Sequence, residues 1–269
     1  MPAPSLCLSA VRTPGPAQAS AWAPAIIALL ACAALLAHGP VAQLDNYHAF
    51  ADQRTLLGIA HGADVLSNIG FALAGAAGLL MLALQPVRAG RSGYLIFFGA
   101  LLLTACGSSW YHLAPDNARL LADRMPIALA CAGLVAAVCG QTIIRGIGAE
   151  RVLTALLACA AFASVAWWRY TDLQGGGDLG PYLLLQGLTL LLIPLLQWQA
   201  RRPPRERLAF AGSIALYVLA KACELADHTL FAALGFISGH TIKHLLATAA
   251  ALAIVYALAC GQVRCHERG

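Results

Sequence analysis

The sequence predicts an all-α polytopic membrane protein, with a core of seven transmembrane helices and one additional N-terminal hydrophobic helix or signal segment. Two observations carry this. Of the 269 residues, 60% are hydrophobic and only 11% charged, where a soluble domain has about 25% charged residues, and the mean hydropathy is +0.73. The apolar residues are also gathered into eight runs, most of them near the roughly 20 residues that a bilayer span requires, which leaves no room for a sizeable soluble domain.

The first run covers residues 22–37. It suits a short helix or the apolar region of a signal peptide, with Pro40-Val41-Ala42 an indifferent cleavage site. Both readings leave residue 45 on the outer side. Residues 1–42 are thus an N-terminal tail and hydrophobic segment, 43–260 a seven-helix membrane domain and 261–269 a cytoplasmic tail. The core runs are residues 64–84, 94–112, 119–143, 152–170, 181–198, 208–227 and 238–259. Breakers separate them: Gln85-Pro86 to Gly93, Ala114-Pro115-Asp116-Asn117, Gly146 to Arg151, Gly175-Gly176-Gly177 and Arg202-Pro203-Pro204-Arg205. The triple glycine lacks the Gly-Lys-Ser/Thr ending of a phosphate loop and reads as a turn.

The net charge of +5 is dispersed over short loops, which excludes a nucleic-acid surface. It is distributed unevenly across the membrane. With a cytoplasmic N-terminus, the inner side holds Arg12, Arg88, Arg91, Arg145, Arg151, Arg201, Arg202, Arg205, Arg207, Arg264 and Arg268, while the outer side holds Arg54, Arg119, Arg124 and Arg169. Trp110, Tyr111, Trp167, Trp168 and Tyr170 read as an aromatic belt at the outer interface. Only Lys221 and Lys243 are lysines, an arginine bias that fits a GC-rich bacterial genome and hence a bacterial inner membrane. Cys32, Cys106, Cys131, Cys139, Cys159, Cys223 and Cys260 fall in apolar runs without a Cys-x-x-Cys motif and read as buried thiols serving as small apolar residues. Cys260 and Cys265 are close enough in sequence to pair.

Chemistry concentrates at one depth. Ser108 and His112 lie at i and i+4, as do His240 and His244, so each pair shares a helix face. His112 ends the second core run, Asp123 follows within the first turns of the third, and His240 and His244 open the seventh. All five therefore stand near the outer face. An isolated intramembrane histidine is commonly an interhelical hydrogen-bond donor; three at one depth with an acid point to a metal. Three neutral imidazoles suit zinc, leaving an open position and the full charge of the ion for activating water. Asp123 is placed to serve as general base and acid. Ser108 is a candidate donor to a developing oxyanion, although Gly107 and Ser109 beside it also suit plain helix packing. Arg124 reads as a structural partner or interfacial anchor, Lys221 and Glu224 as an intramembrane ion pair, and Asp227 and His228 as loop residues. Ser67-Asn68 reads equally as a cap, a packing pair or a cavity lining.

The ordered set Ser-x3-His, Asp eleven residues on and His-x3-His in the last helix resembles the alkaline ceramidase family. That family belongs to a wider group of seven-helix membrane hydrolases that includes the adiponectin and progestin receptors. The similarity extends over residues 43–260 and includes Asn46-Tyr47, Asp64-Val65-Leu66-Ser67-Asn68, Asp123-Arg124-Met125 and Gly239-His240. The resemblance implies Zn2+ held by His112, His240 and His244 in a lipid-accessible cavity. Ser108 and Asp123 would be catalytic, and the substrate an N-acyl sphingoid base drawn from the bilayer. It also raises Ca2+ as a second cofactor, since eukaryotic members bind calcium through an acidic, Trp-containing segment before the first core helix. Here that stretch is Gln43-Leu44-Asp45-Asn46-Tyr47, and the family's Ile-Ala-Glu stands as Ile59-Ala60-His61. Asp45 and Asn46 retain oxygens, but the glutamate is replaced.

Three function classes follow: a zinc-dependent lipid amidase of the ceramidase type, a receptor-like signalling protein with a structural or weakly hydrolytic zinc, and a transporter or proton relay. No large cytoplasmic region is present to pass on a signal, and the paired broken helices of a transporter are not evident. The amidase accounts for the most features, with the site near the periplasmic face.

Overall fold

The computed structural model describes residues 22–266. Arg12, Arg268 and the side chains of Arg264, Cys260 and Cys265 lie outside the described residues, as does the expected tail pairing. Apart from one antiparallel bridge between Leu56 and Ile59, the regular structure among the described residues is helical. Helix α1 (Ala23–His38) has 16 residues and is followed by the short α2 (Gly62–Ser67) and by α3 (Ile69–Leu84). Next come α4 (Arg91–Leu113), α5 (Asn117–Thr142), α6 (Ile147–Leu173), α7 (Gly180–Gln199) and α8 (Pro204–Leu225). The short α9 (Asp227–Leu234) precedes α10 (Gly239–His266). Seven spans are long and apolar enough to cross a membrane, with α2 and α3 together forming the first and α10 the last. The fold is an all-α polytopic membrane architecture, as the composition predicts.

Local chemistry sets the helix ends. The Asp116 side chain accepts the Arg119 backbone N–H at 2.7 Å, so α5 begins at Asn117, two residues before the expected start at Arg119. Pro204 opens α8 four residues ahead of the predicted start, because proline is pre-set for the first helical turn. The first core span is broken at Asn68. There Ser67 Oγ and Asn68 Nδ2 both donate to the Asp64 carbonyl, at 2.8 and 3.0 Å, and such back-bonding bends a helix. One expectation is corrected: Asp227 and His228 are not loop residues but open α9, with Asp227 buried.

The packing pairs α3–α4, α4–α5, α5–α7, α7–α8, α8–α10 and α10–α3 close into a ring of six helices. Helix α6 packs outside it on α5 and α7, and α1 packs on α7. The ring encloses a cavity lined from every one of its helices, α6 contributing no residue. The closest approach lies between α4 and α5, and it follows from two residues. Pro126 has no N–H to offer the Ala122 carbonyl one turn earlier, and Gly107 packs its bare Cα against that same carbonyl. A Cβ at Gly107 would stand 2.1 Å from it.

At the site end of the bundle, residues 39–61 cross between the helices as a strap. Val41 N donates to Asp178 Oδ1 at 2.9 Å, Gln43 Nε2 to Asn117 Oδ1 at 2.9 Å and Ala51 N to Asp227 Oδ2 at 2.9 Å. Arg54 closes on Asp52 at 2.7 Å and donates to the Phe236 carbonyl at 2.8 Å. The Arg54 hydrogen bond holds the Asp52 carboxyl below its ordinary value. A lowered carboxylate contributes its full stability above the unfolded pKa of about 3.9 and loses it only as pH falls through the lower folded value. This tie is therefore constant through neutral and alkaline pH.

Two further expectations are corrected. Trp110, Trp167 and Tyr170 are exposed on the outside of the bundle as a belt requires, but Tyr111 and Trp168 are buried. Among the described cysteines only Cys139 is buried; Cys32, Cys106 and Cys159 are exposed, as small apolar groups facing lipid can be. The arginines divide as expected. Among the described residues, Arg88, Arg91, Arg145, Arg151, Arg201, Arg202, Arg205 and Arg207 lie at or beside the helix ends opposite the strap.

Gly107→Val is expected to force α4 from α5 and to destabilise the protein by at least about 1–3 kcal/mol, the range for overpacking. Gly99→Ala, with nothing within 4 Å of its Cβ position, is expected to be neutral or slightly stabilising. Thermal unfolding in detergent checks both. Equal Tm values for the two variants would contradict the close packing.

Candidate metal centre

Three helix ends bring the predicted residues together. His112 lies in the last turn of α4, Asp123 in the second turn of α5, and His240 and His244 in the first two turns of α10. All five residues of the expected set are buried: Ser108, His112, Asp123, His240 and His244. The imidazole rings of His112, His240 and His244 meet edge to face, with centroids 4.7, 4.8 and 5.2 Å apart. One nitrogen from each ring lies within 4.8 Å of the others.

The donor set fits a metal. His112 Nε2 and His240 Nε2 are 3.2 Å apart, and ligands of a tetrahedral zinc at about 2.0–2.1 Å stand roughly 3.3 Å from one another. His244 is oriented from behind. Ser67 Oγ already donates to the Asp64 carbonyl, so it accepts from His244 Nδ1–H at 2.8 Å, and the same Nδ1 lies 3.2 Å from that carbonyl. The proton is thereby fixed on Nδ1, and the Nε2 lone pair is left for a cation. The backbone N–H of His240 donates to Asp227 Oδ1 at 2.7 Å, while Asp64 Oδ1 accepts from Thr241 Oγ1 at 2.6 Å. These two carboxylates pin the first turn of α10. Gly239 permits the pinning, because a Cβ there would stand 2.2 Å from the Cys223 carbonyl.

Several contributors escape sequence reading. Phe50 of the strap sits over the triad, its ring centroid 4.7 Å from His112 and 4.5 Å from His240, and so keeps water off two of the three imidazoles. Nothing in its sequence neighbourhood marks it. Lys243 Nζ lies 2.9 Å from both His240 Nε2 and Glu224 Oε1, and Glu224 is also paired with Lys221 at 2.5 Å. The Lys221–Glu224 pair is visible from helical spacing; the third member arrives from another helix. Arg124 is structural and not interfacial. It is buried, with its guanidinium 4.2 Å from the Trp168 ring, 4.7 Å from Tyr47 and 5.7 Å from Tyr182.

Ser108 and Asp123 adjoin the close contact of α4 and α5, each next to one of its two partners, Gly107 and Ala122. Both line the cavity together with His244. Asp45 and Asn46 are exposed in the strap, and His61 turns its Nδ1 to the Asp52 carbonyl at 3.2 Å. Among the described residues the three histidines are the one His/Cys/Asp/Glu group with metal-binding geometry.

No family model matches the chain, and no curated protein matches it either.

Ser67→Ala removes the hydroxyl that orients His244, and the loss of such an outer partner typically costs ~10–100-fold in metal affinity. Competition with a chelator measures it. Unchanged zinc affinity would show that His244 is not oriented through Ser67.

Proposed function

We propose that this protein is a zinc-dependent membrane amidase that hydrolyses the N-acyl amide bond of a lipid, a ceramide or a related N-acyl sphingoid base. The observation that carries the reading is the position of His244, Ser108 and Asp123 at the polar end of an apolar cavity, with the rings of His112 and His240 against His244. From Ser108 the cavity follows α4 inward to Leu101 and Phe97. The eleven residue steps from Ser108 to Phe97 correspond to about 16 Å of helix at ~1.5 Å per residue, a length suited to an acyl chain. On the other helices the lining likewise turns apolar with depth, through Ile193, Phe210 and Ala251.

His112, His240 and His244 would hold the metal, which supplies Lewis acidity to the acyl carbonyl and activates water. Asp123 takes the proton of the attacking water and returns it to the departing nitrogen, as amide cleavage requires. Ser108, one turn before His112 and in the lining of the same cavity, would donate a hydrogen bond to the developing oxyanion. Phe50 limits bulk water, which strengthens each of these interactions. The acyl chain would enter from the bilayer, and the arginine-rich opposite end supports a reading in which the site faces the periplasmic side of a bacterial inner membrane.

Purified protein is expected to hold about one zinc per chain and to release fatty acid from an N-acyl sphingoid lipid. His112→Ala, His240→Ala and His244→Ala should each remove most of the zinc, because an open site has three protein ligands to lose. Asp123→Asn should keep zinc and fold while turnover falls ~10²–10⁴-fold. Zinc loss in Asp123→Asn would make the aspartate a ligand. Full activity in that variant would remove it from the mechanism, and undiminished zinc in the triple histidine variant would overturn the ligand set.

A further inference from the structure

Lys221, Glu224 and Lys243 are a costly feature for a cavity built only to take a neutral amide. Charged side chains inside a membrane bundle are expensive and are retained where something uses them. Glu224 lies between the two ammonium groups, 2.5 Å from Lys221 and 2.9 Å from Lys243. Glu224 is shared between two ammonium groups and cannot match both. All three side chains line the cavity beside His244, on the α8–α10 wall. The other carboxylate that acts on Lys243 from within the cavity is Asp123 on the facing α5, and Asp123→Asn removes its charge. Lys243 is the member nearest the metal centre, because its Nζ lies 2.9 Å from His240 Nε2. A cation held by His240 Nε2 would take the lone pair that Lys243 engages and would leave an ammonium N–H free for a ligand in the cavity.

We infer that Lys243, backed by Lys221, binds a carboxylate on the amine side of the scissile amide, so that the amidase takes long-chain N-acyl amino acids beside sphingoid amides and prefers such an acid to a neutral N-acyl amine of the same acyl chain. This rests on the amidase reading for its chemistry but concerns the binding of the headgroup. An α-carboxylate stands two bonds from the amide nitrogen, so an anion seated on Lys243 places the amide beside the histidines and its nitrogen toward Asp123. The acyl tail then follows the apolar lining of α4 and α7. A charge-assisted hydrogen bond in such a site is worth enough to separate an acid from an alcohol of equal size by about tenfold or more.

The test compares N-palmitoylglycine with N-palmitoylethanolamine, which share the acyl chain and differ in carboxylate against hydroxyl. Binding is measured by calorimetry in detergent on zinc-loaded Asp123→Asn protein, and hydrolysis on the wild type. The acid is expected to bind at least tenfold more tightly. That preference should vanish in Lys243→Met, persist in Lys243→Arg and increase in Glu224→Gln, where both ammonium groups face the ligand. The gain in Glu224→Gln is something a purely structural ion pair would not produce. Lys243→Met leaves Glu224 matched one to one by Lys221, so this variant should stay folded and bind zinc while showing no preference.

Equal affinity for the two lipids, or a preference that survives without Lys243, would overturn the inference. So would phosphatidylglycerol binding as tightly as N-palmitoylglycine with the same dependence on Lys243, which would assign the cation to bilayer phosphate. Cleavage of both amides at equal kcat/KM would overturn the inference and leave the amidase standing. Lys243-dependent binding of the acid without release of palmitate would support the carboxylate site and remove the amidase reading.

Discussion

Three imidazoles buried at one depth of a membrane bundle form the constraint around which the site end of this molecule is arranged. A polar ring out of reach of water is destabilising unless its nitrogens are engaged, and the surrounding elements supply the partners. The break in the first span exists where Ser67 and Asn68 draw on the Asp64 carbonyl, and that breakage gives His244 its acceptors. The short helix after α8 delivers Asp227 to the backbone of His240. His112 keeps a buried Nδ1 without a partner, and its Nε2 faces His240. A shared cation on the Nε2 side would draw these separate arrangements into one.

The bundle holds the site in place by close backbone packing more than by side-chain interdigitation. Pro126 frees a carbonyl, Gly107 accepts it as a neighbour, and the residues next to that contact are Ser108 and Asp123. Gly239 plays the corresponding part for α10, one residue before His240. Small residues let helices approach in an environment that offers no hydrophobic drive for association. The same approach brings a hydroxyl and a carboxylate from two helices into the lining of one cavity. Polarity then falls along the cavity, from the histidines and the lysine–glutamate triad to phenylalanine and isoleucine, which orients an amphipathic ligand without a specific contact to its tail.

Much of this was legible from residue order. The seven spans follow from composition and breakers. The common depth of His112, Asp123, His240 and His244 follows from counting helix ends. What was not legible depends on three-dimensional neighbours. Ser67 offered three equal roles until the Asp64 carbonyl and His244 were seen on either side of it. Lys243 reads as one more charge in a span, and its partner Glu224 lies on a different helix. Asp227 looked like a loop residue because the helix it opens is only eight residues long and continues the polarity of a turn. Tyr111 and Trp168 were assigned to the interface from residue type alone. The strap covers Tyr111 with His48 and Phe50, and α6 lays Trp168 against Arg124.

The central claim is that the three imidazoles share one zinc, and X-ray absorption at the zinc edge of the purified protein tests it most directly. The account predicts a first shell with three nitrogen scatterers at about 2.0–2.1 Å showing the outer-shell pattern of imidazole, and no sulfur. A spectrum with sulfur in the first shell, or with fewer than three imidazoles around the ion, would contradict it.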